Sequence, residues 1–153
     1  MLSGGLCDNA CIANTAPVKT GTDIEEEKMS HAPANFTVWT EIPVSDLNAS
    51  IQFYNAVFDI DLAIDNTGPN PMAMFPTKDG KGVAGHLYPG TPANDGTGPT
   101  VHMLCPVSVE EGIERVKKAG GKPLSPVIDI PVGRFAYCLD PDGNSIGLFT
   151  YMG

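Results

Sequence analysis

The chain has 153 residues, 42% of them hydrophobic, with a formal net charge of −9. That length suits one compact domain with a real core. The acidic balance argues against nonspecific nucleic-acid binding, which needs a basic face, and disfavours anionic membrane surfaces, and no apolar run approaches the ~20 residues of a membrane span.

Residues 1 to about 34 are small, polar and acidic, with "DIEEEK" just before Met29, and have no periodicity. They read as a disordered leader preceding a domain over residues 35–153, and Met29 stands as an alternative start. There is no basic n-region followed by an apolar stretch, so no secretory signal is expected. Cys7, Cys11, Cys105 and Cys138 are therefore read as free thiols of a cytoplasmic protein. Cys7 and Cys11 lack the second pair that a zinc site of that spacing would need.

From Phe36 the pattern changes. "FTVWTEIPV" reads as a strand rich in β-branched and aromatic residues. Leu47, Ile51, Tyr54 and Phe58 then recur at helical spacing, with Ser45 or Asp46 as the N-cap. Three short strands are expected near 60–65, 71–76 and 82–88, divided by the turn formers "NTGPNP" and "KDGKG". Residues 89–99, "PGTPANDGTGP", form a linker by composition.

The same order then recurs. "TVHMLC" is a strand, and "SVEEGIERVKKAGG" is a helix opened by an S-x-x-E capping box at Ser108 and Glu111 and closed by Gly120 and Gly121. Strands near 123–129, 133–139 and 144–150 complete the unit. Trp39 and Val101 stand as far apart as Leu47 and Val109, so β-α-β-β-β occurs twice, over about 36–88 and about 100–151. The fold class is α+β: two tandem βαβββ modules forming a curved sheet, helices on one face and a concave ligand cavity on the other.

"EIPVSDLNASIQFYNAVFDI" resembles the opening of the vicinal-oxygen-chelate superfamily of glyoxalase I, bleomycin-resistance proteins and extradiol dioxygenases. "VEEGIERVKKAGG" and "GRFAYCLDPDGNSIGLF" resemble its second-module helix and closing strands. The resemblance implies metal ligands at four strand positions, which here hold Trp39, Ala84 or His86, Val101 and Gly147. Trp, Val and Gly offer no usable donor, since such metals take imidazole, carboxylate or thiolate. No metal and no cofactor are therefore expected, and Gly147 reads as an emptied ligand position. The resemblance also implies a homodimer.

Strand alternation places Trp39 and Glu41 on the cavity side, away from Val38, Thr40 and Ile42, and His86 with Tyr88 on the same side. Glu41 and His86 are the candidate catalytic groups, able to accept, donate and transfer protons. Trp39, Tyr88, Val101, Met103, Phe135, Tyr137 and Gly147 are the candidate ligand-binding residues. His102 shares the parity of Leu104 and is assigned to the helix side. The function expected is metal-free binding of a small, partly apolar molecule in an aromatic-lined cavity. The alternatives are a metal-dependent lyase, isomerase or dioxygenase of the same superfamily, and an antibiotic-sequestering protein.

Overall fold

From Trp39 to Val44 more exposed and more buried residues alternate along the chain. In the computed structural model, which describes residues 33–152, this stretch is strand β1 (Trp39–Val44). The expected leader, with Met29, Cys7 and Cys11, falls outside the described residues except for its last two positions. Helix α1 (Leu47–Phe58) follows. The Asp46 carboxylate caps it by accepting a 3.0 Å hydrogen bond from the Ala49 N–H. Its buried face comprises Leu47, Ser50, Phe53, Tyr54, Val57 and Phe58, wider than the expected stripe, with Ile51 at its half-buried margin.

The strand expected at 60–65 does not form. Asn55 of α1 holds that segment instead. Its side-chain carbonyl accepts from the Leu62 N–H at 2.8 Å, and its amide donates to the Leu62 carbonyl at 3.4 Å. These bonds satisfy backbone groups that a ladder would otherwise need. What remains of a hairpin is one bridge between Asp65 and Met72, then β2 (Ala73–Met74) and β3 (Ala84–Pro89).

The second module opens with β4 (Val101–Leu104) and α2 (Val109–Lys118). Ser108 caps α2 by accepting from the Glu111 N–H at 3.2 Å, while the Glu111 carboxylate pairs with Arg115 at 2.9 Å. Beyond α2, Gly120 takes φ +92°, and the next N–H, of Gly121, bonds the Val116 carbonyl at 2.9 Å. The strand expected at 123–129 is broken into β5 (Lys122–Pro123) and β6 (Ile128–Ile130). Pro126 has no N–H for a ladder. Just before it, the N–H groups of Leu124 and Ser125 both reach the Tyr137 carbonyl, at 2.8 and 3.3 Å, as in a bulge. β7 (Gly133–Leu139) and β8 (Ser145–Tyr151) complete the module.

The strands gather into two sheets, one per module, rather than one curved sheet. Their orders are β1-β3-β2 and β4-β8-β7-β5, with β6 also on β7. In each, the first strand runs parallel to the last, β1 with β3 and β4 with β8, while the other pairs are antiparallel. The duplication is thus visible in topology, and the fold is α+β. Helix α1 lies on β3, α2 lies on β5, β7 and β8, and the two helices touch. Ile42, Val44, Phe53, Tyr54 and Leu87 of module one share a single buried cluster with Val116, Ala136, Cys138, Ile146 and Leu148 of module two. Both helix-bearing faces therefore look into one core, and the opposite face of each sheet looks away from it.

The turn "DPDGN" fastens the modules together. Asp140 is only 3% exposed and accepts from the Tyr54 hydroxyl, the Asn144 N–H and the Asn144 side-chain amide, each at 2.9 Å. The Asp142 N–H adds a bond at 3.0 Å. Asn144 also donates to the Pro43 carbonyl at 2.9 Å, at the end of β1. Asp142 accepts from Ser45 and Ser50 at the start of α1, where a negative charge complements the helix dipole.

Candidate functional site

On β1, Ile42 and Val44 are buried and Thr40 is half-buried, so Trp39 and Glu41 point to the open face. The parallel register sets Glu41 beside His86 and Pro43 beside Tyr88, and Gly85 and Leu87 of β3 face the core. Trp39, Glu41, His86 and Tyr88 thus meet on one surface. The Trp39 indole N–H donates to His86 Nδ1 at 3.0 Å. On the other side of the ring, His86 Nε2 lies 3.8 Å from Glu41 Oε1. Tyr88 meets the imidazole edge-on, with centroids 5.8 Å apart. The His86 side chain is 13% exposed and that of Glu41 61%, so the carboxylate stands open to solvent beside a sheltered ring.

Module two presents a more apolar open face. Ala136, Cys138, Ile146 and Leu148 are buried, which turns Phe135, Tyr137, Gly147, Phe149 and Tyr151 outward. A hollow of about 500 Å³ is lined by His102, Leu104, Ile130, Phe135, Phe149 and Tyr151. The assignment of sides on β4 is here reversed. Val101 registers with Ile146 and Met103 with Leu148, so both pack against the core. His102 registers with Gly147 and Leu104 with Phe149, so both face outward, and Leu104 is 64% exposed. The reason is electrostatic as well as geometric: an imidazole turned into this core would lose its hydration among alkyl groups. Val101 and Met103 line instead a cleft of about 310 Å³ between the modules, with Thr40, Phe58 and Phe75.

His102 is the residue that sequence reasoning missed. Its ring fills the space over Gly147 and meets Phe135 and Tyr137 edge-on, with centroids 5.1 and 5.8 Å apart. Desolvation among these rings lowers its pKa and favours the neutral form. The alternation of Val101, Met103 and Cys105 with His102 and Leu104 separates two faces in the sequence, but only the register with Ile146 and Leu148 shows which of them is inward. Cys105 is buried, and that burial pushes its thiol up, away from the reactive thiolate.

The two open faces remain separate within the chain. Among the described residues no side-chain hydrogen bond or ring contact joins the Trp39–Glu41–His86–Tyr88 group to the Phe135–Tyr137–Gly147 group. Of the four positions that the family resemblance relates to metal ligands, Trp39 presents an N–H donor, Val101 an isopropyl group against the core and Gly147 no side chain. These do not fit a metal, which needs lone-pair donors. Among the described residues no three or more His, Cys, Asp or Glu side chains are gathered to hold one. None of the described helices is long and apolar enough to cross a membrane.

Similar folds occur in solved structures. A glyoxalase/bleomycin resistance protein from Streptomyces sp. CB03234 is 26% identical, with a TM-score of 0.56 over 74% of this chain and 99% of that one. A glyoxalase/bleomycin resistance protein from Albidiferax ferrireducens T118 is 21% identical, with a TM-score of 0.55 over 75% and 98%. The fosfomycin resistance protein FosX from Mesorhizobium loti is 20% identical, with a TM-score of 0.54 over 79% and 95%. No curated protein matches the sequence. The profile of one family matches residues 37–148, nearly the whole of both modules, and the chain belongs to that family, the Glyoxalase/Bleomycin resistance protein/Dioxygenase superfamily.

Proposed function

We propose that this protein binds a small, planar, partly apolar molecule on its aromatic open faces and does so without a metal. The observation that carries the reading is the hollow of about 500 Å³ on module two, whose lining is aromatic and aliphatic apart from the His102 ring and the Tyr151 hydroxyl. A concave, mostly apolar surface with few polar groups is the usual form of a small-molecule site. Metal independence is supported by the donor chemistry of Trp39, Val101 and Gly147.

The working unit is a homodimer. Each chain offers two open half-sites, and each carries partly exposed apolar side chains: Trp39 and Met74 on module one, Leu104 and Tyr151 on module two. Pairing module one of one copy with module two of another would cover both and place Glu41 and His86, the groups able to move a proton, opposite the aromatic hollow. The protein resides in the cytoplasm in this reading, to which the buried free thiols of Cys105 and Cys138 are suited.

The test is a thermal-shift screen of planar aromatic compounds in the presence of EDTA, with each hit titrated into wild type and Phe149→Ala. Removal of that ring should weaken a bound compound at least tenfold. Equal affinity for the variant across all hits would overturn the assignment of the hollow. Sedimentation of the same samples should give twice the chain mass.

A further inference from the structure

We propose that Trp39 is a positioning residue that sets the tautomer of His86, so that His86 Nε2–H and the Glu41 carboxylate together hold one hydroxyl group of the ligand. The ligand class is then a planar aromatic alcohol, such as a phenol or naphthol. This rests on the binding function proposed above and supplies the polar half of the recognition.

A neutral imidazole has one N–H donor and one acceptor nitrogen, and an indole N–H only donates. Since Trp39 donates to Nδ1 at 3.0 Å, Nδ1 is the acceptor and the proton sits on Nε2. The ring has little freedom to turn: Trp39 and Tyr88 lie on either side, each with its centroid 5.8 Å from that of the imidazole. Nε2–H therefore points to the Glu41 side. The 3.8 Å separation from Glu41 Oε1 is longer than an N–H···O hydrogen bond, so the pair leaves a donor and an acceptor side by side.

A hydroxyl oxygen between them satisfies both. It accepts from Nε2–H and donates its own proton to the carboxylate, making one neutral and one charge-assisted bond. An ether has no proton for Glu41. A carboxylate would meet like charge, and an ammonium would leave Nε2–H without an acceptor. The half-exposed Trp39 indole beside the pair gives the attached ring a flat apolar surface.

The experiment compares 2-naphthol with 2-methoxynaphthalene, which differ only in the hydroxyl proton and a methyl group, by titration into the full chain. Wild type should bind 2-naphthol about tenfold more tightly, and Glu41→Ala should abolish the difference. In parallel, long-range ¹H–¹⁵N spectra of the ligand-free protein, assigned with His86→Gln, should show the His86 proton on Nε2. Trp39→Phe keeps a ring but deletes the donor. It should mix the two tautomers and weaken 2-naphthol about fivefold more than 2-methoxynaphthalene, narrowing the difference between the two compounds. Equal affinity of wild type for the two compounds, or a proton on Nδ1 in the free protein, overturns this inference and leaves the binding function standing. Binding of neither compound overturns both.

Discussion

His102 and Gly147 stand directly opposite each other on β4 and β8, and the imidazole occupies the space that a side chain on the glycine would fill. A Cβ built on Gly147 would lie 2.6 Å from His102 Cε1. The glycine is thus a site of close approach rather than of backbone freedom. Vacancy of a ligand position leads to the expectation that a large residue there is tolerated; the His102 ring predicts the opposite.

Gly147→Ala should cost ~1–3 kcal/mol in urea unfolding, because the His102 ring is flanked by Phe135 and Tyr137 and must leave its seat. The double variant with His102→Ala should recover most of that loss, giving a measurable coupling energy. If the single variant is as stable as wild type and shows no coupling, the ring does not rest on Gly147.

The Asp140 latch predicts a graded pair of losses. Tyr54→Phe removes one hydrogen bond from a fully buried phenol and should cost ~1–2 kcal/mol. Asp140→Ala strands the Tyr54 hydroxyl together with the N–H groups of Asp142 and Asn144, and should cost ~3 kcal/mol or more. Chemical denaturation of the two variants ranks them, and an inverted order would mean that the turn does not join the modules.

Two groups pull the pH dependence of stability in opposite directions. Desolvation lowers the pKa of His102 from 6.5, so the unfolded chain takes up that proton first as the pH falls. Its contribution is complete above 6.5 and is lost as the pH drops through the folded value. Burial raises the Asp140 carboxyl above 3.8, outweighing its bonds from Asn144 and Tyr54. That contribution is complete below 3.8 and is lost as the pH rises through the folded value. Stability measured from pH 4 to 8 should therefore rise less steeply in His102→Gln than in wild type. It should fall less with pH in Asp140→Asn, at the lower end of the range. Curves parallel to wild type would contradict these shifts.

Chelation should have no effect. On the metal-free reading proposed above, with an N–H donor, an isopropyl group and a bare glycine at three of the implied ligand positions, EDTA should find no binding free energy to remove. The thermal midpoint should stay within ~1 °C after overnight EDTA treatment. A fall of several degrees, reversed by zinc, nickel, iron or manganese, would disprove metal-free binding.

Local chemistry determined what the sequence by itself could. The Asp46 and Ser108 caps, the paired Gly120 and Gly121, and the 62-residue spacing of Trp39 to Val101 and of Leu47 to Val109 mark both helices and the duplicated module. The alternation of β1 likewise sets Trp39 and Glu41 opposite Ile42 without reference to any neighbour. Tertiary structure decided the rest, because strand register is a relation between segments distant in sequence. The side on which His102 lies follows from pairing with Gly147, 45 residues away, since Ile146 and Leu148 on the same strand claim the core for Val101 and Met103. The segment at 60–65 alternates well enough for a strand, yet Asn55 takes its backbone hydrogen bonds. The buried Asp140, a polar residue in a turn signal, became a bridge between modules only once Tyr54 was folded against it.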